Sequence, residues 1–270
     1  MVREDLPAIA KRIRRTSLEA ALKAKKGHIP PAFSWADIGV ALYYGGILRV
    51  KPEQPHWAER DRFILSKGHG CLALYAILAD RGFFPKEKLD QFAGDGALLP
   101  GHPDPDIPGV EAVSGSLGHG LGTGAGMALA ARLDRKPWRV FTVLGDGECQ
   151  EGSIWEAAMF AGQHRLGNLI AIVDNNKLAA TDFTDNIVTL GPVADRFRVS
   201  GWDAESVDGH DFGQLLRALD PKALEARQKP LAIIANTIKG RGVDFMENSP
   251  LWHHQMPKND QIERARAQLA

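Results

Sequence analysis

The hydrophobic pattern changes period along the chain, and the change predicts alternating helices and strands. Over residues 6–26, Leu6, Ile9, Ile13, Ala20 and Ala24 fall within about 60° of arc at 100° per residue, which predicts an amphipathic helix closed by Gly27. Its other face carries Lys11, Arg12, Arg14, Arg15, Lys23, Lys25 and Lys26 and reads as solvated scaffold surface. Phe63-Ile64-Leu65, Arg139 to Leu144 and Leu169 to Val173 are short, continuously apolar runs, as in strands buried on both faces of a parallel sheet. Ala204 to Val207 and Leu231 to Ala235 are further strand candidates. Between these runs, helices are predicted from Cys71 to Asp80 with a stop near Gly82, from Gly152 to Arg165, and near Phe212 to Ala226. Strand, turn, helix and strand between Arg139 and Val173 make a βαβ unit. The alternation predicts an α/β fold: a doubly wound, mostly parallel sheet with helices on both faces, residues 1–270 forming one domain.

Composition narrows the function. Lys+Arg and Asp+Glu both number 33, so the chain lacks the net basic footprint of a polyanion binder, and no nucleic-acid partner is expected. Two cysteines, Cys71 and Cys149, can build neither a disulfide framework nor a four-ligand zinc site. The start MVREDLPAIAKRIRR has no apolar signal-peptide core, and no run is apolar enough to span a membrane, so a cytoplasmic protein without a membrane partner is expected.

Glycine is enriched, at 28 residues, and its placement carries the chemistry. Gly94 to Pro108 is a polar loop around His102, and a run from Gly115 to Gly126 opens a helix of small residues. The GxGxxA at Gly120, Gly122 and Ala125 follows no apolar strand, which disfavours a dinucleotide fold. Gly145-Asp146-Gly147 ends one strand of the βαβ unit, and Asp174-Asn175-Asn176 ends the next. Both sets therefore reach the carboxyl edge of the sheet, where open α/β folds bind ligands. Asp146, the Asn176 amide and the Leu178 carbonyl offer three oxygens to a hard cation that shares its remaining positions with phosphate and water. Mg²⁺, Ca²⁺ and Mn²⁺ all suit such a set. Gly147 leaves no side chain between the backbone N–H groups and an anion.

The stretch GDGECQEGSIWEAAMFAGQHRLGNLIAIVDNNKLA resembles the thiamine diphosphate signature of transketolases. Five further collinear segments share the resemblance: KGHIPPAFSWADIGVALYYG, RDRFILSKGHGCLALYAILADRGFF, GHPDPDIPGVEAVSGSLGHGLGTGAGMALA, SGWDAESVDGHD and TIKGRGVDFMENSPLWHH. The resemblance implies thiamine diphosphate as cofactor, Asp146, Asn176 and the Leu178 carbonyl as metal ligands, and Gly147 and Glu148 as cofactor contacts. By the same resemblance His69 and His253 lie beside the diphosphate, Gly115 and Leu117 touch the aminopyrimidine end, and His28 and His102 line a sugar channel. Glu151 and Glu156 match acidic residues near a subunit boundary, and the resemblance implies His28, His69, His102, Glu151 and His253 as the catalytic set. His119, His164 and His254 match no such position and read as structural.

The resemblance covers the diphosphate-binding, amino-terminal half of the family. It implies a transketolase subunit that moves a two-carbon ketol unit from a ketose to an aldose, inactive without a second chain whose pyrimidine-binding domain supplies the activating acid. Two copies of each chain are expected. The alternatives are half of a 1-deoxyxylulose-phosphate-synthase-like enzyme and a noncatalytic cofactor-binding regulatory subunit. The sequence departs from the family at Ile29-Pro30-Pro31 and at Thr181-Asp182-Phe183. The first departure adjoins the expected sugar channel and leaves room for an unusual donor, such as a sugar with a sulfonate or a branched carbon skeleton.

Overall fold

Five parallel strands form the centre of the protein. In the computed structural model, which describes residues 5–270, they are β1 (Arg62–Leu65), β2 (Val140–Gly145), β3 (Leu169–Asn175), β4 (Asp203–Asp208) and β5 (Leu231–Asn236), in the spatial order β1-β2-β3-β5-β4. Residues 1–4 of the stretch read for a signal peptide lie outside the described residues. Among the described residues, no helix is long and apolar enough to cross a membrane.

The two-residue period of a strand sends alternate side chains to opposite faces. Phe141, Val143, Ile170, Ile172 and Ile233 enter one core, while Val140, Leu144, Leu169, Ala171 and Val173 enter the other. Both cores are closed by helices, which is why these strands read as unbroken apolar runs. On the first face lie α1 (Leu6–Ala24), α2 (Ile29–Tyr44) and α3 (Cys71–Arg81). The second face carries α4 (Gly120–Leu133), α5 (Gly152–Gln163) and, beyond the single turn α6 (Thr184–Ile187), α7 (Val193–Val199). The return from β4 to β5 reverses direction across the sheet, so α8 (Phe212–Ala218) and α9 (Pro221–Glu225) cross on the first face, as right-handed crossovers require. The last helix is α10 (Asp260–Gln268).

Three expectations need correction. The first helix ends at Ala24, not at Gly27: Lys25 takes the left-handed position (φ 56°), and the Lys25 and Lys26 N–H groups close onto the Leu22 and Ala21 carbonyls. Its basic face is not uniformly solvated, since Arg14 is buried and donates to the Phe33 carbonyl and the Asp37 carboxylate, tying α1 to α2. The single helix expected from Phe212 to Ala226 is two. Pro221 has no N–H to continue the first, and Asp220 caps the second by accepting from Ala223 N at 3.0 Å.

Two glycines let α4 lie against the sheet. A Cβ at Gly120 would stand 2.4 Å from Ser66 Oγ and 2.9 Å from Ser66 Cα, and one at Gly124 would stand 2.7 Å from Thr142 Oγ1. Close packing, not dinucleotide binding, accounts for this glycine run.

Candidate cofactor and metal site

The register pairs Gly145 with Asp174, so the residues just beyond β2 and β3 emerge side by side at the carboxyl edge. A cavity of about 350 Å³ opens there, lined among others by Asp146, Gly147, Asn176, Leu178, Lys239 and His253. Asp146 is buried and accepts from the backbone N–H groups of Gly147 and Lys177. Asn176 Oδ1 accepts from Leu178 N at 3.1 Å, and its amide donates to Asp174 Oδ2 at 3.3 Å. The three oxygen donors expected for a metal thus line one cavity. Burial, and then the neighbouring carboxylate of Asp174, push the Asp146 carboxyl up to about 6. A buried carboxylate without full cationic compensation beside two neutral oxygens fits a hard divalent ion.

Gly147 lines the cavity, but its N–H is taken by Asp146 Oδ1 at 2.8 Å, and a short 3-10 turn (Gly147–Gln150) stands between it and α5. The expected open donor at a helix entry is therefore occupied in this structure. Glu148 is buried at the cavity floor, where its carboxylate accepts from Ser66 Oγ and from the N–H groups of Gly118 and Gly145, each of the latter at 2.9 Å. These bonds make Glu148 a clasp that fixes the 115–119 loop to the end of β2. Gly115 and Leu117 line the cavity from that loop. Gly115 has φ +143°, and a Cβ there would stand 3.3 Å from the His102 ring, so glycine permits the loop to lie against that imidazole. Glu151 lies at the cavity rim and is exposed, as is Glu156 on the outer face of α5.

All four predicted histidines converge. The His28 ring centroid lies 5.8 Å from His69, 6.2 Å from His102 and 5.3 Å from His253, and the His69 and His253 centroids are 5.4 Å apart. Burial, reinforced by His102, His254 and Lys239, lowers His28 to about 4; burial and Lys239 lower His253 to about 3. His69 and His102 are also lowered, chiefly by burial. Of the two protonation states open to these rings, the structure selects the neutral one at neutral pH. Each ring then offers one N–H donor and one acceptor.

Sequence reasoning missed three residues. Lys67, within SKGHG, is buried under the cavity, bonding the Asp174 carboxylate and, at 3.1 Å, the Pro31 carbonyl. Lys239, within TIKGRG, donates to the Leu178 and Ala179 carbonyls at 3.1 and 2.6 Å and shares a hydrogen bond with His253 Nδ1 at 2.8 Å. Burial, with Lys67 nearby, lowers Lys239 to about 7. His254, expected to be structural, stands 5.8 Å from His28 and 5.3 Å from His253 between ring centroids. The only hint of these roles is position next to motif residues.

An oxygen-lined cation site at adjoining strand ends, walled by neutral imidazoles and a lysine, is the architecture of a diphosphate-cofactor domain. Residues 7–270 match the family model described as transketolase, thiamine diphosphate binding domain, and the chain belongs to that family. It is 39% identical over 263 residues to an apulose-4-phosphate transketolase subunit of Phocaeicola vulgatus, covering 97% of this chain and 92% of that protein. It is 42% identical over 262 residues to the 6-deoxy-6-sulfo-D-fructose transketolase subunit SqwG of a Clostridium species, covering 97% and 94%. The fold is similar to that of Campylobacter jejuni transketolase, with a TM-score of 0.93 and 31% identity over 100% of this chain but only 43% of that one. The chain is thus the amino-terminal, cofactor-binding part of a transketolase-type enzyme, and the deoxyxylulose-phosphate-synthase alternative gives way to relatives that are transketolase subunits along nearly their whole length.

Proposed function

We propose that this chain acts as the thiamine diphosphate-binding subunit of a two-chain transketolase, transferring a two-carbon ketol unit from an acidic ketose to an aldose. The observation that carries the reading is the convergence of Asp146, Asn176 and the Leu178 carbonyl with His28, His69, His102 and His253 at one sheet edge. The three oxygens would hold Mg²⁺, or Ca²⁺ or Mn²⁺ in its place, and the ion would anchor the diphosphate beside Gly147, His69, His253 and Lys239. Bound there, thiamine diphosphate would supply a carbon nucleophile for the ketose carbonyl and an electron sink for C–C cleavage. Neutral imidazoles at His28 and His102 orient sugar hydroxyls by donating and accepting hydrogen bonds. Gly115 and Leu117 contact the aminopyrimidine end, while Glu148 holds their loop in place.

Relatives that this chain spans nearly end to end are named as subunits, which supports a separate partner chain carrying the pyrimidine-binding domain and its activating acid. An assembly with two copies of each chain would bury the open face of α5, where Met159 is 58% and Phe160 is 40% exposed beside Glu156. The relatives' names specify one sugar derived from apulose and one carrying a sulfonate. Together with Pro30 and Pro31 at the start of α2, next to His28, they support a donor outside the common ketose phosphates. Two buried free cysteines support a cytoplasmic setting.

Mixing the purified chain with its partner, thiamine diphosphate and Mg²⁺, then assaying a panel of ketoses, tests the reading. Two-carbon transfer by the mixture and not by either chain is expected. Robust transfer by this chain alone, or Asp146→Ala leaving the activity of the mixture intact, would overturn it.

A further inference from the structure

One histidine near the cavity has no place in the proposed chemistry, and its position gives it another. His254 is exposed and follows the buried His253, and the two rings approach edge to face with centroids 5.3 Å apart. His28 completes a triangle, at 5.3 Å from His253 and 5.8 Å from His254. One ring nitrogen from each of the three lies within 4.8 Å of the others. We propose that His28, His253 and His254 form a site for a divalent transition-metal ion of the Zn²⁺ class, separate from the oxygen-lined site at Asp146.

Donor chemistry and geometry separate the two sites. Imidazole nitrogens favour Zn²⁺, Ni²⁺ and Cu²⁺, whereas the carboxylate, amide and carbonyl oxygens at Asp146, Asn176 and Leu178 favour Mg²⁺ or Ca²⁺. Three histidines with a fourth position open to water are an established zinc arrangement, with Zn–N distances of about 2.0–2.1 Å. Tetrahedral ligation at that length places the nitrogens roughly 3.3 Å apart, so the triangle must tighten by about 1.5 Å at most. The exposed His254 ring can supply that movement by rotation, while His253 stays anchored. His253 Nδ1 lies 2.8 Å from Lys239 Nζ, so a metal at Nε2 takes the tautomer whose proton sits on Nδ1 and faces the uncharged lysine amine. A proton on Lys239 opposes that tautomer and so weakens the site.

Co²⁺, whose visible absorption reports tetrahedral nitrogen ligation, is a suitable probe on the untagged full chain in excess Mg²⁺. The expected result is saturable binding of one Co²⁺ with an intense visible band, reversed by Zn²⁺. His254→Asn should weaken it about ten-fold or more, and His164→Asn, an exposed histidine on another face, should leave it unchanged. Absence of the band, loss of binding in Mg²⁺, or equal affinity in His254→Asn would overturn the proposal. The readout needs neither the partner chain nor turnover, so it stands or falls apart from the transketolase reading.

Discussion

Lys67 and Asp174 form an ion pair in the fully buried layer beneath the cavity, with side chains 2% and 0% exposed. Burial alone would raise the Asp174 carboxyl, but Lys67, Ser34 and Thr237 together hold it below the usual carboxylate range. Removing one member leaves an uncompensated charge in the core. Lys67→Met should therefore cost about 3–5 kcal/mol of unfolding free energy, read by urea denaturation, and the double variant with Asp174→Leu should recover much of it. A loss in the double variant equal to the sum of the Lys67→Met and Asp174→Leu losses would show that the pair is not coupled.

Asp146→Asn keeps the shape of the side chain while removing its charge. Calorimetry should show cofactor uptake that no longer responds to Mg²⁺, with the circular dichroism spectrum unchanged. Retained metal-dependent uptake would place the ion elsewhere.

Asp61 supports the amino-terminal end of the sheet, bonding Arg139 N at 2.8 Å and the guanidinium groups of Arg49 and Arg139 at 2.9 and 2.7 Å. Burial opposes its ionisation, yet Arg139 and Arg49 carry its carboxyl below the ordinary value. A carboxyl lowered in the folded state stabilises fully above its unfolded value, near pH 4, and that contribution is lost as pH falls through the folded one. Denaturation midpoints should accordingly drop with acid below about pH 4. Asp61→Asn should flatten that part of the profile while lowering stability at pH 7.

Gly120→Ala would drive a methyl group into Ser66, against its hydroxyl and its backbone. Overpacking of this kind costs about 1–3 kcal/mol. Because Ser66 also donates to Glu148, the variant should weaken cofactor binding as well as lower the melting temperature. A change in melting temperature alone would mean that Glu148 does not transmit the strain.

Replacing both Met159 and Phe160 with Ser removes the apolar content of the open α5 face without touching a core residue. Sedimentation should show association between assembled units weakened about ten-fold or more. An unchanged assembly would direct attention to another surface.

The strands were legible because a sheet covered on both faces leaves uninterrupted apolar runs, and Asp146 and Asn176 followed from them because strand ends fix where the next residues point. The long helix α2 gave no such signal: every residue from Ile29 to Tyr43 is buried, so it has no polar face and no period to detect. Lys67, Lys239 and Arg14 are buried bases whose partners lie far away in sequence, at Asp174, His253 and Asp37, and nothing local distinguishes them from solvated lysines and arginines. His254 was legible as a residue and illegible as a neighbour, since only the folded loop brings it to His28.

The insertion of β5 between β3 and β4 sets an order on biosynthesis. While the ribosome is still making the segment before Leu231, the nascent polypeptide has β3 and β4 available but lacks the strand that joins them. Lys239 and His253 emerge later still. The pocket therefore matures only once β5, Lys239 and His253 have all been made, so its ligands can reward only chains that extend that far.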